Sequence, residues 1–220
     1  HYLSCIGINR NSKQKQIPLT FKLAFKDGSQ YQTSIPITIQ SGQFKKEHIK
    51  LKPKKYKLSQ NKPKLKTETR LIGKKFRLLT PSKKFSGPFQ WPLKGRITSE
   101  FGHQRIYNNT PSWSHSGIDI SGKTDTPIFA AQSGTVILSK VLPVHGKTVM
   151  INHGWGIISI YNHLHKLNVK TNDNLSKGDI IGTVGSTGIA TGSHLHFGVS
   201  IQGVRINPKP WINNASHFPL

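Results

Sequence analysis

The chain has 220 residues, 34% of them apolar, with 20 Gly and 13 Pro, which fits one large domain or two small ones built from strands and turns. No segment approaches the run of about 18 apolar residues needed to cross a membrane as a helix, and a single cysteine, Cys5, excludes an internal disulfide scaffold. The 32 Lys and Arg against 8 Asp and Glu give a formal charge of +24, a field that favours polyanions through long-range, salt-sensitive attraction.

In chain order, Leu19, Phe21, Leu23 and Phe25 occupy every second position, Asp27-Gly28 is a turn signal, and Tyr31 to Ile35 resumes the alternation. This predicts a small all-β module over residues 1–52. Half of the basic residues then fall between Lys45 and Lys84, punctuated by Pro53, Pro63 and Pro81. That texture predicts an exposed basic arm or linker over 53–90, with a short helix near Thr67 to Leu79, or simply a solvated connector. From Trp91 onward, short β-branched runs alternate with glycines: Thr135 to Leu138, Thr148 to Ile151, Ile157 to Tyr161, Ile180 to Val184 and His196 to Ser200. These predict an antiparallel sheet domain over 91–212, followed by a tail at 213–220.

Two short motifs in that domain carry metal chemistry: His115-Ser116-Gly117-Ile118-Asp119 and Ser193-His194-Leu195-His196-Phe197. Catalytic zinc is usually held by three protein ligands drawn from His and carboxylate, with water in the fourth position. On a strand, side chains at i and i+2 share a face, so His194 and His196 point into one groove, where one can bind metal while the other reaches substrate. His115 and Asp119 can be brought together by a helical turn or by a loop entering a strand. Spacing alone leaves other readings open: a salt bridge for Asp119 among so many cations, and surface or partner-satisfied imidazoles for the His pair.

The surrounding residues resemble the lysostaphin-type zinc endopeptidases, the LytM-like peptidoglycan hydrolases. The matching stretches are Trp91 to Gly102, His115 to Asp119, Thr126 to Ala131, Ser133 to Val136, Asn152 to Gly154, Tyr161 to Leu164, Lys177 to Gly182, Gly185 to Gly188 and Thr191 to Phe197. The resemblance implies a mainly β fold: an antiparallel β-sheet metallopeptidase domain of the duplicated hybrid, barrel-sandwich type, preceded by a small all-β, Ig-like domain. It implies one Zn2+ per chain held by His115, Asp119 and His196, with His163 and His194 as the catalytic imidazoles. Asn108, Asn109 and Trp113, in the loop before His115, are expected to touch substrate, with His103 and Arg105 near the cleft. His153 reads as structural. Gly198 follows Phe197 where many relatives carry Glu.

The expected function is zinc-dependent hydrolysis of peptide crosslinks or stem peptides of bacterial peptidoglycan, with the D-alanyl to diaminopimelate crosslink the favoured bond. The alternative is a non-catalytic or latent relative that binds cell wall and activates another hydrolase. The expected partners are peptidoglycan and, through the basic arm, anionic envelope polymers or a membrane surface. Nucleic acid is not expected, because the arm lacks interleaved aromatics. The expected location is the periplasm, cell envelope or exterior, with a signal segment removed ahead of His1.

Overall fold

The computed structural model describes residues 6–13, 15–40 and 42–212, so Cys5 and the expected tail at 213–220 lie outside the described residues. Two compact units are present, one over Asn9–Gln43 and one comprising 6–8 and 44–212. The smaller is a hairpin of β1 (Gln16–Ala24) and β2 (Gln30–Thr38), paired antiparallel from Gln16↔Thr38 to Ala24↔Gln30. Asp27-Gly28 makes the turn, with Gly28 at φ 84. The N-terminal β unit is therefore one hairpin, where an Ig-like sandwich needs about 7 strands.

The larger unit begins with β3 (Lys46–Ile49), α1 (Pro53–Ser59) and α2 (Lys62–Phe76). It continues through β4 (Ile97–Ser99), β5 (Gln104–Tyr107), β6 (Thr110–Ser114), β7 (Ile118–Ser121) and β8 (Pro127–Phe129). Then come β9 (Gly134–Leu142), β10 (Gly146–Asn152), β11 (Ile157–Leu164), β12 (Lys166–Leu167) and β13 (Asn174–Leu175). It closes with β14 (Ile180–Thr183), β15 (His194–Ile201) and β16 (Val204–Ile206).

The main sheet runs β13-β9-β10-β11-β15-β7-β4, with β16 paired to β15, and all of these pairs are antiparallel. Sheets β12-β14-β8 and β3-β5-β6 flank it. Strands β10, β11 and β15 are buried on both faces along nearly their whole length, with polar residues such as Thr148, Ser159, Asn162 and His196 interspersed among the apolar ones. Ile118, Ile120, Ile151, Tyr161, Leu195 and Phe197 belong to one core. Ile72 and Phe76 from α2 pack with Leu138, Met150, Ile158 and Ile160 into a second.

The expected exposed arm is therefore folded. Pro53 and Pro63 lie in the first turns of α1 and α2, where a missing N–H costs nothing. Asn61 caps α2 by accepting from the Lys64 N–H at 3.1 Å. Glu68 is buried at 3% exposure and accepts from the backbone N–H groups of Val144 (2.7 Å) and His145 (3.1 Å), tying α2 to the β9–β10 turn. Residues 46–49 pair in parallel with β5, placing them in the larger unit and not with the hairpin.

Candidate metal centre

The cluster is built by strand register. Asp119 on β7 and His196 on β15 are direct cross-strand partners, and Ser99 on β4 lies opposite Asp119 on its other side. His115 arrives from the loop entering β7. Gly117 fits there because a Cβ would stand 2.3 Å from the Phe197 carbonyl and 2.9 Å from His196 Cε1. The glycine thus serves close approach of two segments; its φ is not in the left-handed region.

His115 Nε2, Asp119 Oδ1 and His196 Nδ1 converge, with separations of 3.0 Å (His115–Asp119), 3.0 Å (His115–His196) and 2.9 Å (His196–Asp119). The His115 Nδ1–H donates to the Glu100 carbonyl at 2.8 Å, so in the neutral ring Nε2 presents a lone pair to the carboxylate and to His196. Lone pairs so close repel unless a cation or proton lies among them. Ligation of tetrahedral zinc at about 2.0–2.1 Å would separate such donors by about 3.3 Å. The set fits zinc in donor type, number and spacing.

Although burial alone would raise it, Asp119 is held well below the usual carboxylate range by its close approach to the His115 and His196 rings and by the Arg105 guanidinium. Burial lowers His196 to about 3. The Arg105 guanidinium donates to Asp119 Oδ2, leaving Oδ1 turned to the cluster, and its Nε lies 3.4 Å from Glu47 Oε2. Although burial opposes it, Asp119 and Glu47 raise Arg105 above its ordinary value.

The other two imidazoles stand beside the cluster, with ring centroids of His163 and His194 5.0 Å apart and those of His163 and His196 6.2 Å apart. His163 Nδ1–H donates to the Thr187 carbonyl at 2.8 Å and His194 Nδ1–H to the Gly192 carbonyl at 2.9 Å, so both direct Nε2 elsewhere. His194 Nε2 is 3.8 Å from Asp119 Oδ1. Burial, reinforced by His194 and His196, holds His163 well below the ordinary imidazole value.

The expected substrate contacts divide. Trp113 packs edge-on against Tyr107, remains 42% exposed and lines the recess beside the cluster. Asn108 is engaged elsewhere: its Oδ1 accepts from the Leu51 N–H at 2.8 Å and its Nδ2 donates to the Leu51 carbonyl at 3.1 Å. Asn108 and Asn109 form the β5–β6 turn, with φ 46 and φ 67, and neither lines the recess. A turn that needs two left-handed residues selects Asn for its backbone, which explains the pair without substrate.

The recess holds only about 50 Å³, lined by Arg105, Tyr107, Trp113, His163 and Ile189 among others. Tyr107, Val144 and Ile189 on its walls cluster with Leu51, and Ile49, Tyr56, Leu58 and Leu65 pack behind. Lys55 on α1 donates to the carbonyls of Ser186 (3.1 Å) and Ala190, in the loop ahead of His194. Residues from the stretch 47–65 thus wall the cleft, where Glu47, Ile49 and Leu51 line a space of about 290 Å³ together with Ser99, Arg105, Asp119 and His194. Sequence reasoning did not find Glu47, Leu51 and Lys55, which lie in a Lys-rich stretch with no apolar period. It placed Arg105 near the cleft without its carboxylate partner.

Comparison with known proteins agrees in placement. Residues 113–208 match the model of Peptidase family M23. The chain is 35% identical over 128 residues to peptidoglycan DD-endopeptidase ShyA of Vibrio cholerae, covering 57% of this chain and 30% of that protein. It is 37% identical over 114 residues to DD-carboxypeptidase/endopeptidase Mpg of Neisseria meningitidis, covering 51% and 26%. The matches thus span under a third of either curated relative. A crystal structure of a candidate peptidase M23 from Pseudomonas aeruginosa superposes with TM-score 0.71 at 28% identity, over 94% of this chain and 77% of that one. A zinc-containing peptidase from Vibrio cholerae matches with TM-score 0.52 at 28% identity, over 56% and 39%.

Proposed function

Because this chain carries a peptidase M23 domain, we propose that it is a zinc-dependent endopeptidase acting on the peptide crosslinks or stem peptides of bacterial peptidoglycan, outside the cytoplasm. The observation that carries this reading is the convergence of His115 Nε2, Asp119 Oδ1 and His196 Nδ1 within 3.0 Å, beside two further imidazoles. A zinc ion bound there would supply Lewis acidity for a scissile carbonyl and an acidified water.

The chain's own residues do the rest. His163, kept neutral by burial, accepts a proton at Nε2, since its Nδ1–H is committed to Thr187. His194, whose Nδ1–H is committed to Gly192 and whose ring lies 5.0 Å from that of His163, turns Nε2 to the same side of the cluster and would relay a proton towards the departing amine. Arg105 is a positioning residue: it fixes the rotamer of Asp119 through Oδ2. The packing of Leu51 against Tyr107, Val144 and Ile189 favours a second element of the reading, a cover that narrows access to the cluster. Beneath that packing a space of about 290 Å³, lined by Glu47, Leu51, Ser99, Asp119 and His194, still reaches the cluster, close to the roughly 300 Å³ at which ligand pockets begin.

The test is mass spectrometry of purified peptidoglycan fragments after incubation with the zinc-loaded chain, beside Asp119→Ala and His194→Ala variants and a chelated control. Crosslinked dimers should become monomers only with the intact, zinc-loaded chain, and product masses would name the bond. Intact crosslinks, with the wild type and with a Leu51→Ala variant that loosens the cover, would sink the peptidase reading and leave wall binding.

A further inference from the structure

Arg205, on β16, is a cation without an answer. Its guanidinium carbon stacks 3.7 Å from the centroid of the Phe76 ring, and its Nη1 is buried without a hydrogen-bond partner among the described residues. Burial pulls the group down to about 9, which still leaves it charged at neutral pH. Buried charges are ordinarily paired, because an uncompensated one costs several kcal/mol. Ser200 is the direct cross-strand partner of Arg205, and at Gly198, diagonal to it, a Cβ would lie 3.4 Å from Nη1. Neither Ser200 nor Gly198 offers the guanidinium a carboxylate.

The guanidinium borders a cavity of about 410 Å³ between α2 and the sheet, where Arg77 is a second cation. No acidic residue lines this cavity among the described residues. Its wall shares Trp113, Ser116, Val144 and His145 with the recess beside the metal cluster, so the two spaces adjoin. Gly198 is two residues beyond His196 on the same strand and the same face, which places it about 7 Å from that ligand.

From this juxtaposition we propose that Arg205 is a carboxylate-binding subsite of the cleft, taking a free carboxylate of an acidic peptide substrate, with the apolar cavity wall receiving the adjoining residues. The proposal rests on the peptidase reading of the neighbouring cluster. At about 3.3–3.6 Å per extended residue, the carboxylate would sit two or three residues from the bond at the metal centre. A planar guanidinium suits it because two parallel N–H groups meet two carboxylate oxygens. Gly198 keeps the subsite vacant for substrate: an acidic side chain there would neutralise Arg205 from within.

The experiment is titration calorimetry of the full chain, with chelator present so that nothing is turned over. The probe is soluble peptidoglycan stem peptide whose carboxylates are either free or converted to amides. The free acid should bind about tenfold or more tightly than the amide. Arg205→Met should erase that preference. Because Arg205 also stacks on Phe76, a second variant leaves the stack in place: Gly198→Glu, whose Cβ would stand 3.1 Å from Ile160 Cγ2 and 3.2 Å from the Ser116 carbonyl. It too should abolish the preference. Equal binding of acid and amide by the wild type, a preference surviving Gly198→Glu, or binding of neither peptide would overturn the proposal. Digestion of peptidoglycan by the zinc-loaded chain reports separately on the peptidase reading.

Discussion

The strands that carry the metal-type cluster and the segment that covers it are held by different physics. Asp119 and His196 are partners in a ladder whose flanking residues Ile118, Ile120, Leu195 and Phe197 have no exposed surface, so moving either ligand means breaking the sheet. The cover over 46–76 is held by a four-residue parallel strand, by Glu68, and by a few apolar anchors, Leu51, Ile72 and Phe76, in a chain otherwise rich in exposed lysines. The site is fixed by register, whereas the cover is fixed by single side chains. Register changes only by unfolding, and single anchors can let go locally.

Predictions that break or sharpen this contrast follow in order of size. Phe76 is an anchor whose loss opens a hole between α2 and the sheet, so Phe76→Ala should cost about 3–5 kcal/mol in chemical denaturation. A loss confined to faster hydrogen exchange in α2, with the global transition unmoved, would show that the cover is separable from the core. Leu51→Ala should cost about 2–5 kcal/mol, but locally, at the residues facing the recess. Hydrolysis of soluble fragments should then rise by about tenfold or more, since each 1.4 kcal/mol of lost closure is worth that factor. An unchanged rate beside wild type would mean that closure does not limit access.

The smallest effect is a pH dependence lodged in the sheet. His153 is fully buried, with Nδ1 2.7 Å from the Ser133 carbonyl and Nε2 2.8 Å from Ser159 Oγ, and burial lowers it from 6.5 to about 4. The unfolded chain takes up that proton below pH 6.5, and the folded chain refuses it until about 4. Stability is therefore complete above 6.5 and falls across that window at up to about 1.4 kcal/mol per pH unit. Urea midpoints measured from pH 7 to pH 4 should show a shallower decline in His153→Gln than in the wild type, and equal slopes would remove His153 from the account.

Legibility followed the same divide. The β-branched runs at 135–138, 148–151, 157–161 and 196–200 fall within β9, β10, β11 and β15, because short runs rich in β-branched residues between turn signals read as strands. His194 and His196 share a face for the reason their spacing gives. The cover was not legible in the same way. Lys46 to Ile49 has no apolar alternation, and its partner β5 is more than fifty residues away, so nothing local marks it as a strand. Pro53 and Pro63 were read as breaks although Pro also opens helices, and the expected helix near 67–79 begins five residues earlier, at Lys62. The burial of Glu68 depends on two backbone N–H groups that no sequence pattern exposes.

Main-chain partners have a wider meaning at the His-Asp-His cluster. The rings of His115, His163 and His194 are each set by a main-chain carbonyl, those of Glu100, Thr187 and Gly192. A main-chain oxygen is present whatever residue supplies it. The tautomers on which the chemistry depends are therefore buffered against mutation at those three positions, and what drift there can alter is loop geometry, leaving the proton inventory of the site inherited with the backbone itself.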